Sequence, residues 1–288
     1  VKKITYKFIT YFERLIENHI IPNRNIVLFR RCAYLLLLLK MILIWPELSM
    51  FYKHVVSIGR GSLKPYELMF LPFFYNYYNF YWLFLSTIVA FGIFKKRSRW
   101  LSIAVFIISI NYLFLTFKAI NFGDMLLNFL IFMLIFIRED TFKYSINGMI
   151  NNASILIIQV HFCLLYFYNA FGKVMQPFWR DGSFFKNIWR LSYYANSNFI
   201  PNWFLNPTSN LLIAWAVILF EFIFPILIWF KLYKKPLIFI GLFFHLGISL
   251  FLSLPDFGLA MAIVYILFFN LKQDTSSNIN RSGLKLIK

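Results

Sequence analysis

Residues 153–173 read ASILIIQVHFCLLYFYNAFGK, and the first formal charge in that stretch is its last residue, Lys173. An uncharged, mostly apolar run of about 20 residues is what a helix needs to cross a bilayer core. A transmembrane strand would be about half that length and would alternate apolar with polar residues. Similar apolar runs flank this one on both sides, at 26–46, 76–94, 99–117, 121–137, 210–230, 236–254 and 257–271. The 288 residues are 60% hydrophobic and 22% aromatic but only 14% charged, well below the usage of a soluble domain. The expectation is an all-α, multipass transmembrane helical bundle of about eight spans over residues 26–271. A basic, amphipathic segment at 1–25 precedes it, without the apolar core of a cleavable leader. A polar tail at 272–288 follows. The runs 121–137 and 257–271 are the weakest spans, and either could be re-entrant.

The charge pattern orients this bundle. The formal net charge is +18, yet Lys and Arg sit mainly between the apolar runs. That distribution points to lipid headgroups and topology, and no nucleic-acid partner is expected. With the N-terminus inside, the inner segments hold twenty of the 29 Lys and Arg, the outer ones eight, and Lys40 lies mid-span. Positive-inside sorting then predicts an even number of spans with both termini cytoplasmic. The two long outer connections, 47–75 and 173–209, are rich in aromatic residues. Such loops either line the headgroup layer or contribute to a site, with 183–195 reading as an interfacial helix. Cys32 and Cys163 fall inside apolar runs and read as small buried hydrophobes.

Polar residues inside the runs carry the functional reading, because an ionisable group in hydrocarbon is costly. Gln159, Tyr166 and Lys173 are spaced by seven, with Asn169 between them, so all four share one helix face. Such a stripe lines a cavity or makes interhelical hydrogen bonds. Glu221 and His245 lie at similar depth on two consecutive spans joined by a short basic turn, so they could meet, as a structural lock or a proton-handling pair. Lys40 is expected to pair with Glu47 or Asp124, and residues 121–124 read as a capping turn. His161 reads as a packing residue. No metal site is expected, since the four histidines have no ligand spacing.

Three blocks, in order, resemble the membrane domain shared by vitamin K-dependent γ-carboxylases and the bacterial horizontally transferred transmembrane (HTTM) proteins. They are Asn121 to Leu127, then Gln159 to Gly182, then Glu221 through Pro225, His245 and Phe257. The resemblance implies that Lys173, at the end of its helix, is the base acting on a quinone-like lipid. Tyr166, Asn169, Gln159, Trp179 and Asp181 would line the substrate region. It also implies the bacterial inner (cytoplasmic) membrane as location. Two departures stand out. The carboxylases have a histidine just after the first-block asparagine, where this chain has Phe122. The carboxylases also have a large lumenal domain with no counterpart in this sequence, so independent glutamyl carboxylation is not expected. The favoured expectation is a membrane component in maturation, export or modification of a peptide or lipid-like substrate, with a membrane or secreted peptide as partner. The alternative is a carboxylase-like enzyme built around Lys173.

Overall fold

The computed structural model describes residues 21–51, 65–96, 98–116, 119–139, 146–191 and 200–269, with side chains from 77 onward in the second of these segments. Most of the basic N-terminal segment, the tail 272–288 and part of each outer connection lie outside the described residues. Within them the chain is all-helical. The helices are α1 (Asn23–Ile44), α2 (Pro65–Phe94), α3 (Arg99–Leu115), α4 (Phe122–Met133), α5 (Ile146–Met175), α6 (Pro177–Arg180), α7 (Ser183–Ile188), α8 (Pro207–Leu227), α9 (Lys231–Phe251) and α10 (Pro255–Tyr265).

Among the described residues, four segments are long and apolar enough to cross a membrane: Tyr77–Phe94, Ile146–Met175, Pro207–Leu227 and Lys231–Phe251. Helices α3, α4 and α10 are apolar but shorter. Helix α1 has 22 residues but carries Arg30, Arg31 and Lys40. The run at 153–172 extends in both directions to make a helix of 30 residues, about 45 Å at 1.5 Å per residue.

The longest helices do not pair simply by sequence order. Helices α8 and α9 are joined by a tight turn, but α8 packs mainly on α5, and α9 mainly on α10. Close approach of α9 and α10 depends on Gly241, where a Cβ would collide with the Tyr265 hydroxyl. On the other side, α1 lies against α2 and α10, and α4 bridges α3 and α10. Phe29, Trp82, Leu130, Phe162, Tyr166, Phe224 and Phe268 are among the fully buried side chains of this main core.

Buried amides close the frayed helix ends, where carbonyls have no partner within the helix. The Asn25 amide donates to the Ile266 and Phe269 carbonyls at 2.8 and 2.5 Å. The Gln159 amide donates to the Leu267 carbonyl at 2.8 Å. All three acceptors lie just past α10. At the other end of the bundle the predicted capping turn forms. Asn121 Oδ1 accepts from the Gly123 and Asp124 amides, and Asp124 Oδ2 accepts from the Asn121 amide.

Lys40 pairs with Asp124 at 2.8 Å and with Asp256 at 2.5 Å. Of the two partners expected from sequence, Asp124 is used and Glu47 is not, because Glu47 lies on the 3₁₀ turn that follows α1. Asp256 is the unforeseen member, and it also accepts from the Asn121 side chain. The cluster ties α1, α4 and α10 together.

Candidate functional site

Helix α5 ends at Met175, and the chain then folds back along α8. Lys173 faces Glu221, the Arg180 carbonyl accepts from the Trp215 indole at 3.1 Å, and the Trp189 indole donates to Asn210 Oδ1 at 3.0 Å. The contacts climb α8 from its middle toward its N-terminus. Gly182 allows this path. Its φ is +76°, and a Cβ there would sit 2.7 Å from the Leu211 backbone. The left-handed conformation is open to glycine at little cost.

The result is an aromatic cover made of α6, α7 and the 3₁₀ turn Asn202–Leu205. Trp179 stacks on Phe184 with centroids 4.1 Å apart, and Phe185, Trp189 and Phe204 continue the layer. The sequence places an interfacial helix at 183–195. The structure has Ser183–Ile188 as helix, and 192–199 lie outside the described residues.

Beneath this cover lies a cavity of about 520 Å³, bounded by α5, α8, α9 and the start of α10. That is within the size range of small-molecule sites. Its walls are mostly phenylalanine, tryptophan and aliphatic side chains, with five polar residues among them: Tyr166, Asn169, Lys173, Glu221 and His245. Three of these come from α5 because residues 166, 169 and 173 follow one helix face.

The polar groups form two sets. Lys173 Nζ donates to both carboxylate oxygens of Glu221, at 2.7 and 2.6 Å, and lies 5.1 Å from the Trp179 ring centroid. The ammonium is thus held by a carboxylate on one side and an aromatic face on the other. Tyr166 Oη lies 2.5 Å from His245 Nε2 and 2.5 Å from Tyr265 Oη, giving a fully buried hydroxyl–hydroxyl–imidazole chain. His245 Nδ1 is buried without a partner among the described residues. Asn169 is half-buried, and its amide also lacks a partner among the described residues.

The sequence-derived candidates therefore separate. Tyr166, Asn169, Lys173, Trp179, Glu221 and His245 meet at the cavity. Gln159 does not line it, although it shares the stripe. Two turns deeper than Tyr166, the same face of α5 meets the end of α10, where Gln159 serves as a cap. Asp181 does not line the cavity either. It is exposed and accepts the Ser183 amide at 2.8 Å, and those Ser183 hydrogen bonds hold its carboxyl below the usual value.

The direct Glu221–His245 pair does not form. Each residue is taken by α5 instead, Glu221 by Lys173 and His245 by Tyr166. The physical reason is that α8 and α9, though consecutive, pack mainly on different neighbours. His161, read as a packing residue, lies against Phe129 with ring centroids 4.3 Å apart.

Tyr265 was not singled out in the sequence, because a tyrosine in an apolar run carries no signal of its own. Its position 20 residues after His245, across a tight hairpin, becomes informative only once α9 and α10 are known to pack together. No protein-family model matches the chain, and comparison with curated proteins and with solved structures gives no match.

Proposed function

We propose that this chain is a multipass integral membrane protein, with about eight spans and both termini cytoplasmic, whose cavity binds an amphiphilic, lipid-like small molecule. The observation that carries this reading is the make-up of the cavity. An aromatic and aliphatic chamber with a polar cluster gathered on α5, α8 and α9 suits a ligand with an apolar body and one hydrogen-bonding end. The HTTM and carboxylase resemblance supports the same reading, since its lysine, tyrosine, glutamate and histidine positions converge on this cavity. In that reading the protein acts in the maturation or modification of a peptide or lipid-like substrate at a bacterial inner membrane, and the ligand is quinone-like.

Lys173 is the reactive group in the enzymatic version. An ammonium paired with a carboxylate has no lone pair, so it must first pass a proton to Glu221. The neutral amine then faces the cavity and can take a proton from a ligand hydroxyl. Glu221 is thus part of the proposed base.

The test is native mass spectrometry with lipid extraction on gently purified wild type, Lys173→Met and Glu221→Gln. A quinone or isoprenoid that accompanies wild type and is lost from both variants supports the reading. Bulk phospholipid alone in all three samples would sink it and redirect attention to a protein partner at the aromatic cover.

A further inference from the structure

The polar end of the cavity lies against α5, and its opposite side faces a gap in the bundle. Helices α8 and α9 have few contacts beyond their turn. Phe220 and Phe244 meet across the gap with ring centroids 5.3 Å apart. Phe204 and Phe251 meet at 5.3 Å nearer the cover. Between these two aromatic contacts the cavity is walled by Ile213 and Val217 on α8 and by Gly247 and Ile248 on α9. Phe243, also in the cavity wall, is 71% exposed on the flank of α9. In an apolar helix of membrane-crossing length, that flank faces hydrocarbon.

At Gly247 this gap is unfilled. A Cβ built there meets nothing nearer than the Phe251 ring, at 3.8 Å. The absence of a side chain is therefore not forced by close packing, unlike at Gly241. Glycine also costs about 1 kcal/mol relative to alanine in a helix interior. Bare space beside a helix, with no packing reason for it, is a feature of a passage.

Building on the ligand-binding reading above, we propose that the α8–α9 gap is a lateral port to the bilayer. The hydrocarbon chain of a membrane-dissolved amphiphile lies in it, and Gly247 sets its width. The polar end of such a ligand reaches Asn169 and the Lys173–Glu221 pair, while the chain passes between Val217 and Gly247 toward Phe243. The occupant is a bilayer component and reaches the cavity sideways from the lipid phase. The apolar flank supports this source, because the cavity wall between Phe243 and Phe251 contains no Lys, Arg, Asp or Glu, and His245 within it turns inward to Tyr166.

The experiment compares two photoactivatable probes on the full chain in phospholipid nanodiscs. One is a long-chain fatty alcohol with a mid-chain diazirine, the other a butanol-sized diazirine alcohol. The variants are Gly247→Leu, which narrows the gap from α9, and Val217→Trp, which narrows it from α8. In wild type the long probe should label the stretches around Val217 and Phe243, and that labelling should fall about tenfold in either variant. The short probe should still label the polar end of the cavity, around Asn169 and Lys173, in all three proteins, which also shows that the variants are folded. Long-probe labelling unchanged in both variants, with the short probe still bound, would overturn the port while leaving the cavity reading intact. Failure of both probes to label any cavity residue in wild type would overturn the cavity reading, and the port with it.

Discussion

Among the described residues, Lys40 and Lys173 each form ion pairs between apolar helices, and their surroundings differ. Lys40 is held from two sides, by Asp124 on α4 and Asp256 on α10, and none of the three lines the cavity. Lys173 has a single carboxylate partner, Glu221, with the Trp179 ring on its other side, and both members of the pair face the cavity. Both are ion pairs between helices, where a charge without a partner is costly. The first places its partners on separate helices and acts as a lock. The second faces the cavity next to Asn169, whose amide has no partner among the described residues, and is available to a ligand. A buried charge therefore identifies a site only when some of its bonding capacity remains free and points into a space.

The sharpest way to break this comparison is to remove each ammonium. Lys40→Met would leave two carboxylates facing one another across α4 and α10. The expected cost is about 3–5 kcal/mol, the range for breaking a buried ion pair by removing one partner. Thermal unfolding in detergent should show a large drop in midpoint, partly recovered when Asp256→Asn is added. A Lys40→Met protein that melts like wild type would remove the distinction between lock and site.

Lys173→Met should cost less, about 1–3 kcal/mol, because only one partner is stranded, and the cavity gives that partner somewhere to find water or a proton. The double variant Lys173→Met with Glu221→Leu should return close to wild-type stability, since apolar replacement of both members of a buried pair is often neutral. Ligand retention should be lost in both the single and the double variant. Recovery of stability without recovery of ligand is the signature of a site. Recovery of both would make the pair structural.

How much of this was legible in advance follows the same division. Helix positions follow from apolar runs: the runs 26–46 and 99–117 end within a few residues of α1 and α3, whereas α2 and α5 begin 11 and 7 residues before the runs at 76 and 153, and α10 ends at Tyr265, short of 271. The α5 stripe was readable because residues 166, 169 and 173 share a face whatever lies opposite. Partners across helices were less readable. Glu221 and His245 were expected to meet because a short turn joins their helices, but adjacency in sequence did not make α8 and α9 the closest pair. Asp256 carries a local signal of its own. It follows Pro255 at the start of a helix, as Asp124 follows Asn121, so two helix N-termini carry carboxylates at positions where the helix dipole favours them. A mid-span lysine on α1 could have been matched to both. The cavity itself had no sequence signal, since its walls are built of the same residue type, phenylalanine, as the core.

The cover over the cavity offers a smaller test. Gly182→Ala places a Cβ against the Leu211 backbone and asks alanine to hold a φ of +76°. The conformational cost alone is about 1–2 kcal/mol. The strain is local, so it should appear as faster hydrogen exchange across α6 and α7, with exchange in α1, α4 and α10 unchanged. If exchange rises equally in the Lys40 region, the cover and the lock form one cooperative unit and the two-region picture fails.

The smallest effect should come from Asp181, two residues from the Ser183 amide it accepts. Its hydrogen bonds to Ser183 lower the carboxyl from the ordinary value of 3.8. A carboxylate with a depressed folded value stabilises the fold above its unfolded value, and that contribution disappears as pH falls through the folded one. The turn should therefore be equally tight from pH 8 to pH 5 and loosen only in stronger acid. Asp181→Ala should remove the acid dependence and leave Lys173 and the ligand unaffected, because the side chain is exposed and outside the cavity wall. Exchange at the Ser183 amide, followed across pH in wild type and variant, reads this directly. If Asp181→Ala instead abolishes ligand retention, Asp181 belongs to the substrate region as its sequence neighbourhood implied, and the cavity must extend beyond the wall that α6 now forms.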